Sequence, residues 1–219
     1  MATVEPYEGI IPIEELQDVE ESAFEMLHMD RDTVMEQFDD VFEETDEKCR
    51  ASFVCKGLFK SFEIEGVEDG EVHVEGGATL ASPLLADALQ HADELIIYAI
   101  AVHGYEELAK DPANDMFQSM FIDAWGVGYA MACHRWIKEA IDESVHACGL
   151  HVGRSWMPGE GDLPFDLQRD AFGLLDPAQI GIQLSESGSV SPIMIVSGMR
   201  GVSDDPAIEA VGLDIPSFH

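Results

Sequence analysis

The spacing of apolar residues changes period along the chain, and each change marks an element. Ile13, Leu16, Val19, Ala23, Met26 and Leu27 recur at helical intervals and predict a helix over 12–29, with Pro12 in its first turn. Asp30 is placed to cap a second helix over 31–49, which carries Val34, Phe38, Val41 and Phe42 on one face and acids on the other. Around Asp69-Gly70 the period becomes two: Phe62, Ile64 and Val67 precede the pair, and Val72 and Val74 follow it, the pattern of a hairpin. Ser82-Pro83 opens a short helix from Leu84 to His91, and Glu94–Val102 has no polar face, as in a central strand buried on both sides.

Gly104 turns the chain into a helical region. A long helix from about Asn114 to Cys148 carries Met116, Met120, Ala124, Val127, Met131, Trp136, Ile137 and Ile141 at helical intervals, and Gly149 is its C-terminal cap. The small residues between Ala124 and Ala130 let another backbone, or a ligand, come close. Arg154-Ser-Trp-Met-Pro-Gly-Glu-Gly-Asp-Leu-Pro164 is a shaped loop, because Pro158 and Pro164 exclude helix and Gly159 and Gly161 permit sharp bends. A short helix over 166–175, a strand over 180–186, a turn at Ser187-Gly188 and a returning strand over 194–199 complete the pattern. Strands and helices in this order predict an α+β fold or a small mixed sheet. Residues 1–50 form a helical layer of the same domain, 51–203 its α+β core, and 204–219 an irregular tail.

Charge narrows the function. The 219 residues include 44 acids and 11 Lys or Arg, a formal net charge of -33. Such a surface repels nucleic-acid phosphates and anionic membranes and attracts cations, whether a metal, a sulfonium or ammonium ligand, or a basic partner. The longest apolar run, Leu95–Val102, is too short to span a membrane, and the acidic N-terminus lacks the positive region of a signal peptide, so a cytoplasmic location is expected. Cys49, Cys55, Cys133 and Cys148 contain no Cys-x-x-Cys pair and read as reduced thiols.

Candidate chemistry is sparse. His146, Cys148 and His151, with His134 further up the helix, are ligand types for zinc, but their spacing matches no standard site and no metal is assigned. Ser144-Val-His146 lacks the Asp that a cobalt-ligating Asp-x-His-x-x-Gly motif requires, and it lies at a helix end. No Gly-x-Ser-x-Gly, phosphate loop or Gly-x-Gly-x-x-Gly occurs. Arg154 can hold a carboxylate or phosphate through two parallel hydrogen bonds, and Asp123 and Glu186 are carboxylates able to meet a cationic ligand.

Arg154, Pro158-Gly-x-Gly-Asp-Leu-Pro164, Leu167-Gln, Leu174-Leu-Asp, Ile180-Gly-Ile, Leu184-Ser-Glu-Ser, Pro192 and Val196-Ser-Gly198 follow one another in an order that resembles the activation domain of cobalamin-dependent methionine synthase, especially its free-standing relatives. The resemblance covers roughly residues 76–202. It implies a twisted antiparallel sheet with flanking helices and a site for S-adenosylmethionine (SAM). It also implies a corrinoid protein or methyltransferase as partner, whose oxidised cobalamin is reduced and remethylated from SAM. Arg154 would then pair with the methionine carboxylate, Pro158 and Gly159 would lie against the nucleoside, and Gly161 would be a further cofactor-binding residue of the loop. Asp123 and Glu186 would be further contacts. The family's Arg-x-Ser-Pro-Gly-Tyr is altered here: Arg154 stands one residue further from Pro158, and Glu160 replaces the tyrosine. Trp156 and Met157 fill the lengthened interval, with Trp156 a candidate aromatic wall. A homo-oligomer is compatible with all of this. A non-catalytic docking module of the same fold that has lost SAM is the alternative, and a metal-binding acidic protein is a third reading.

Overall fold

The computed structural model describes residues 4–185 and 188–212. The expectations for Glu186, Ser187 and residues 213–219 therefore lie outside the described residues. In chain order the elements are β1 (Tyr7–Ile10), α1 (Val19–Leu27), α2 (Arg31–Ser52), β2 (Val54–Glu68), β3 (Glu71–Val74), β4 (Ala78–Ala81), α3 (Pro83–Ala88), β5 (Glu94–His103), α4 (Tyr105–Ala109), α5 (Met116–Ala147), β6 (His151–Val152), α6 (Leu167–Leu175), β7 (Gln183–Leu184), β8 (Val190–Ser191) and β9 (Ile195–Ser203). The fold is α+β: a twisted antiparallel sheet in the order β4-β3-β2-β5-β9-β6, with β1 also paired to β2, and helices on both faces. β2 is long enough to pair with β1 along Lys56–Phe59 and with β3 along Ile64–Glu68.

β5 is central, as its unbroken apolar run predicts, and it sorts the core by the period of a strand. Ile96, Tyr98, Ile100 and Val102 face a layer built by α1, α2 and α5, whereas Leu95, Ile97, Ala99 and Ala101 face the layer of α3 and α6. On α5, Phe121, Trp125, Tyr129, Cys133, Ile137, Ile141 and Val145 are buried four residues apart and meet the sheet. Tyr129 packs edge-on against Phe53, the Cys133 thiol bonds that of Cys55, and Ile137 fills the space above Gly57. Helix steps of four thus match strand steps of two. Cys49, Cys55, Cys133 and Cys148 are free, and all but Cys148 are buried.

Several local expectations are corrected. The helix over 12–29 is interrupted: a 3-10 turn at Ile13–Glu15 is followed by α1, and Asp18 between them has φ 54°. Arg135 on α5 holds the break by donating to the Gln17 and Asp18 carbonyls at 3.0 and 3.1 Å, and the Asp18 carbonyl also accepts the first hydrogen bond of α1, from Ser22 N–H at 3.2 Å. Among the described residues the strand over 180–186 is reduced to β7, because Pro177–Ile180 forms a 3-10 turn and Gly181 has φ 85°. Its partner is β8, not 194–199. That last segment becomes β9, whose Ser197–Ser203 are buried throughout and thus need cover on both faces, which only a place between β5 and β6 supplies. The small-residue stretch of α5 serves helix packing. A Cβ on Gly128 would lie 2.5 Å from the Val19 carbonyl oxygen, so its absence lets α1 settle on α5.

Candidate functional site

The loop that follows α5 enters as an edge strand. Gly153 N–H donates to the Gly201 carbonyl at 2.8 Å, and Trp156 and Met199 exchange hydrogen bonds at 2.8 and 2.9 Å. Side chains therefore alternate in direction along 154–156. Arg154 and Trp156 share one side, the guanidinium 4.6 Å from the indole centre, and Ser155 points to the other, where it bonds the Tyr98 hydroxyl. The Tyr98 oxygen also lies 2.8 Å from His134 Nε2. Burial pushes the Tyr98 hydroxyl up to about 12. His134 falls to about 3, first through burial and then through the cations Lys138, Arg200 and Arg135. A neutral imidazole can accept the Tyr98 proton, and Ser155 can then donate to the Tyr98 oxygen.

After Trp156 the chain folds on itself. Glu160 N–H donates to Met157 O at 3.0 Å, Gly159 N–H to Leu163 O at 2.9 Å, and Leu163 N–H to Glu160 O at 3.0 Å. Gly159 and Gly161 have φ of 89° and 56°, conformations that favour glycine. This tight loop forms one wall of a cavity of about 680 Å3. The opposite wall is the chain from Gly188 through β8 into β9, and Phe165 and Gln168 close one side. Gln168 Nε2 donates to Ser197 Oγ at 3.0 Å, and both residues are buried, so a polar pair lies within mainly apolar surroundings. Phe165 and Ile193, also in the lining, are 60% and 61% exposed and give the mouth an apolar rim.

The expected site residues divide. Met157, Pro158, Gly159, Glu160 and Gly161 line the cavity together. Arg154 does not: its guanidinium donates to the Gly212 carbonyl at 2.7 Å and covers Trp156. Trp156 is buried in the α3/α6 core layer instead of forming a ligand wall. Asp123 accepts the Tyr105 hydroxyl at 2.6 Å and does not line the cavity. Burial, with the Asp123 carboxylate second, raises the Tyr105 hydroxyl well above its usual range. Glu186 lies outside the described residues.

Phe165, Gln168, Ile193 and Ser197 were not singled out from sequence, although Leu167-Gln and Val196-Ser-Gly198 belong to the series that carries the resemblance. Among the described residues no group of three or more His, Cys, Asp or Glu is placed to hold a metal ion. His151 pairs with Glu209 at 2.7 Å, and His146 is exposed at the end of α5.

A twisted antiparallel sheet, helices on both faces and a loop-walled cavity at one sheet edge define the structural class. A solved structure of the same class is the crystal structure of the MetH reactivation domain bound to AdoHcy, with a TM-score of 0.67 and 14% identity over 91% of this chain and 78% of that one. At that identity the likeness shows the fold alone. No protein-family model and no curated protein matches the sequence.

Proposed function

We propose that this chain is a SAM-binding accessory protein that supports the reductive remethylation of a corrinoid-dependent methyltransferase. The carrying observation is the cavity walled by Met157–Gly161 in a fold similar to a reactivation domain whose structure was solved with AdoHcy. Its volume of about 680 Å3 lies within the range of small-molecule sites. Apolar walls suit a nucleoside, the Gln168–Ser197 pair offers hydrogen bonds to a base or ribose, and the Glu160 carboxylate suits a cationic ligand. SAM, when bound, supplies the methyl group, and an external electron donor supplies the electron that the partner's cobalt requires. The residues of this chain bind and orient, and the exposed Phe165 and Ile193 rim is suited to covering by a partner that excludes water.

Arg154 acts at one remove in this reading, since it fixes the backbone that enters the loop. The same observation favours the alternative, a docking module that has lost SAM. Titration calorimetry separates the two. Saturable heat with both SAM and S-adenosylhomocysteine supports the first reading. A folded sample that gives no heat at millimolar ligand leaves only the second.

A further inference from the structure

A second concavity lies apart from the cavity and shares none of its residues. It runs between α1, the turn that leads into α2, and the outer face of α5, with a volume of about 1220 Å3. Phe24, Met26, Met29, Val127 and Met131 supply its apolar surface, and Met26 is 42% exposed. Val127 and Met131 are half-buried α5 residues that lie off the sheet-facing row and line this concavity.

Asp18, Glu20, Glu21, Glu25 and Asp30 surround this surface. The one arginine of the rim, Arg31, is already paired with Glu20 at 2.5 Å. Methionine-rich surfaces adapt their shape to apolar side chains, and acids around them select for cations. A second copy of this chain, with the same net charge of -33, is repelled from such a rim, as are nucleic acids and anionic membranes. The walls are helices that offer side chains and no free strand edge, so an occupant must satisfy its own backbone hydrogen bonds. A helix does so.

We propose that this groove docks a cationic amphipathic helix of a partner protein. The nine residues of α1 give a wall about 13 Å long, room for anchors at i, i+4 and i+7, which span about 10 Å. Apolar anchors enter among the methionines, and flanking Lys or Arg meets the acidic rim. The proposal does not depend on SAM binding.

The test uses the full chain and a fluorescein-labelled helical peptide of roughly 18 residues, with Leu at the anchor positions and Lys on the flanks, followed by anisotropy. A scrambled peptide of the same composition should bind about tenfold more weakly. Met26→Gln, and separately the pair Glu21→Lys and Glu25→Lys, should each weaken the amphipathic peptide by about tenfold. All three positions are exposed, so the fold is retained. The pair Glu63→Lys and Glu68→Lys, an equal charge change on exposed positions of β2, should leave affinity within about twofold. Equal binding of the scrambled peptide, an equal loss in the β2 pair, or no binding at all overturns the proposal. A benzophenone in the peptide gives a second reading on the unaltered protein. Crosslinks should fall within 18–31 and at Val127 or Met131, and crosslinks confined to other surfaces overturn it.

Discussion

His134 is 5% exposed, stacks on Tyr98 and has Lys138, Arg200 and Arg135 as cationic neighbours, so the fold favours its neutral form. Its folded pKa of about 3 lies below the ordinary histidine value of 6.5, and as pH falls the unfolded chain takes up the proton first. The stability it permits is complete above pH 6.5 and is lost on the way down to about 3, by up to about 1.4 kcal/mol per pH unit. Urea unfolding at pH 7.5, 6.0 and 5.0 should show a steeper fall for the natural chain than for His134→Gln, and parallel curves would refute the assignment. Glu160 sits in the cavity wall, so Glu160→Gln should weaken SAM by about tenfold, roughly 1.4 kcal/mol, and S-adenosylhomocysteine by less, because only SAM carries the sulfonium. Calorimetry on both ligands checks this, and equal losses would place Glu160 away from the sulfur. For Arg154→Ala the expected loss of SAM affinity is below the ~1.5–3 kcal/mol of a broken charged hydrogen bond, because the guanidinium is directed at Gly212. A loss within that range would show that the side chain swings to the ligand.

At the scale of elements, the contact of α1 with α5 rests on Gly128. Gly128→Ala places a methyl 2.5 Å from the Val19 carbonyl oxygen, a backbone atom that cannot turn aside, and α1 must move. Overpacking of this kind costs about 1–3 kcal/mol, readable as a lower denaturation midpoint. An unchanged midpoint would mean that α1 shifts without cost. Helices and central strands were the legible elements. Asp30 caps α2 through Thr33, Gly149 ends α5 with φ 74°, and β5 is buried over the whole of Leu95–Val102. These depend on side chains within a few residues, which local pattern encodes. β1, β4 and β6 were missed because each is four residues or fewer and is specified by the strand beside it. The break at Asp18 was hidden for a similar reason, since the arginine that stabilises it lies more than a hundred residues away.

For the molecule as a whole, a net charge of -33 on 219 residues sets strong self-repulsion against the apolar core. Raising NaCl from 50 to 500 mM should therefore raise Tm, by about 2–4 °C for each kcal/mol of repulsion screened. A flat response would indicate that bound cations already neutralise the surface. The described residues contain no helix long and apolar enough to cross a membrane. The cavity and the acidic groove draw on different elements, so the two proposed occupants, SAM and a partner helix, would not compete for space.

The loop from Arg154 to Pro164 shows where sequence suffices and where it does not. Its glycines and prolines determined that it is a bent, non-helical segment, because those constraints belong to single residues. The α+β pattern, the central strand and the acid excess were likewise properties of the linear chain. The direction of each side chain was not. Pairing of Trp156 with Met199 imposes the alternation that turns Arg154 toward Gly212 and Ser155 toward Tyr98, and that register exists only once β9 lies beside the loop. The cavity was decided in the same way: Gln168 and Ser197 are 29 positions apart in sequence, and only the packing of α6 and β9 against the loop makes them one surface with Gly159.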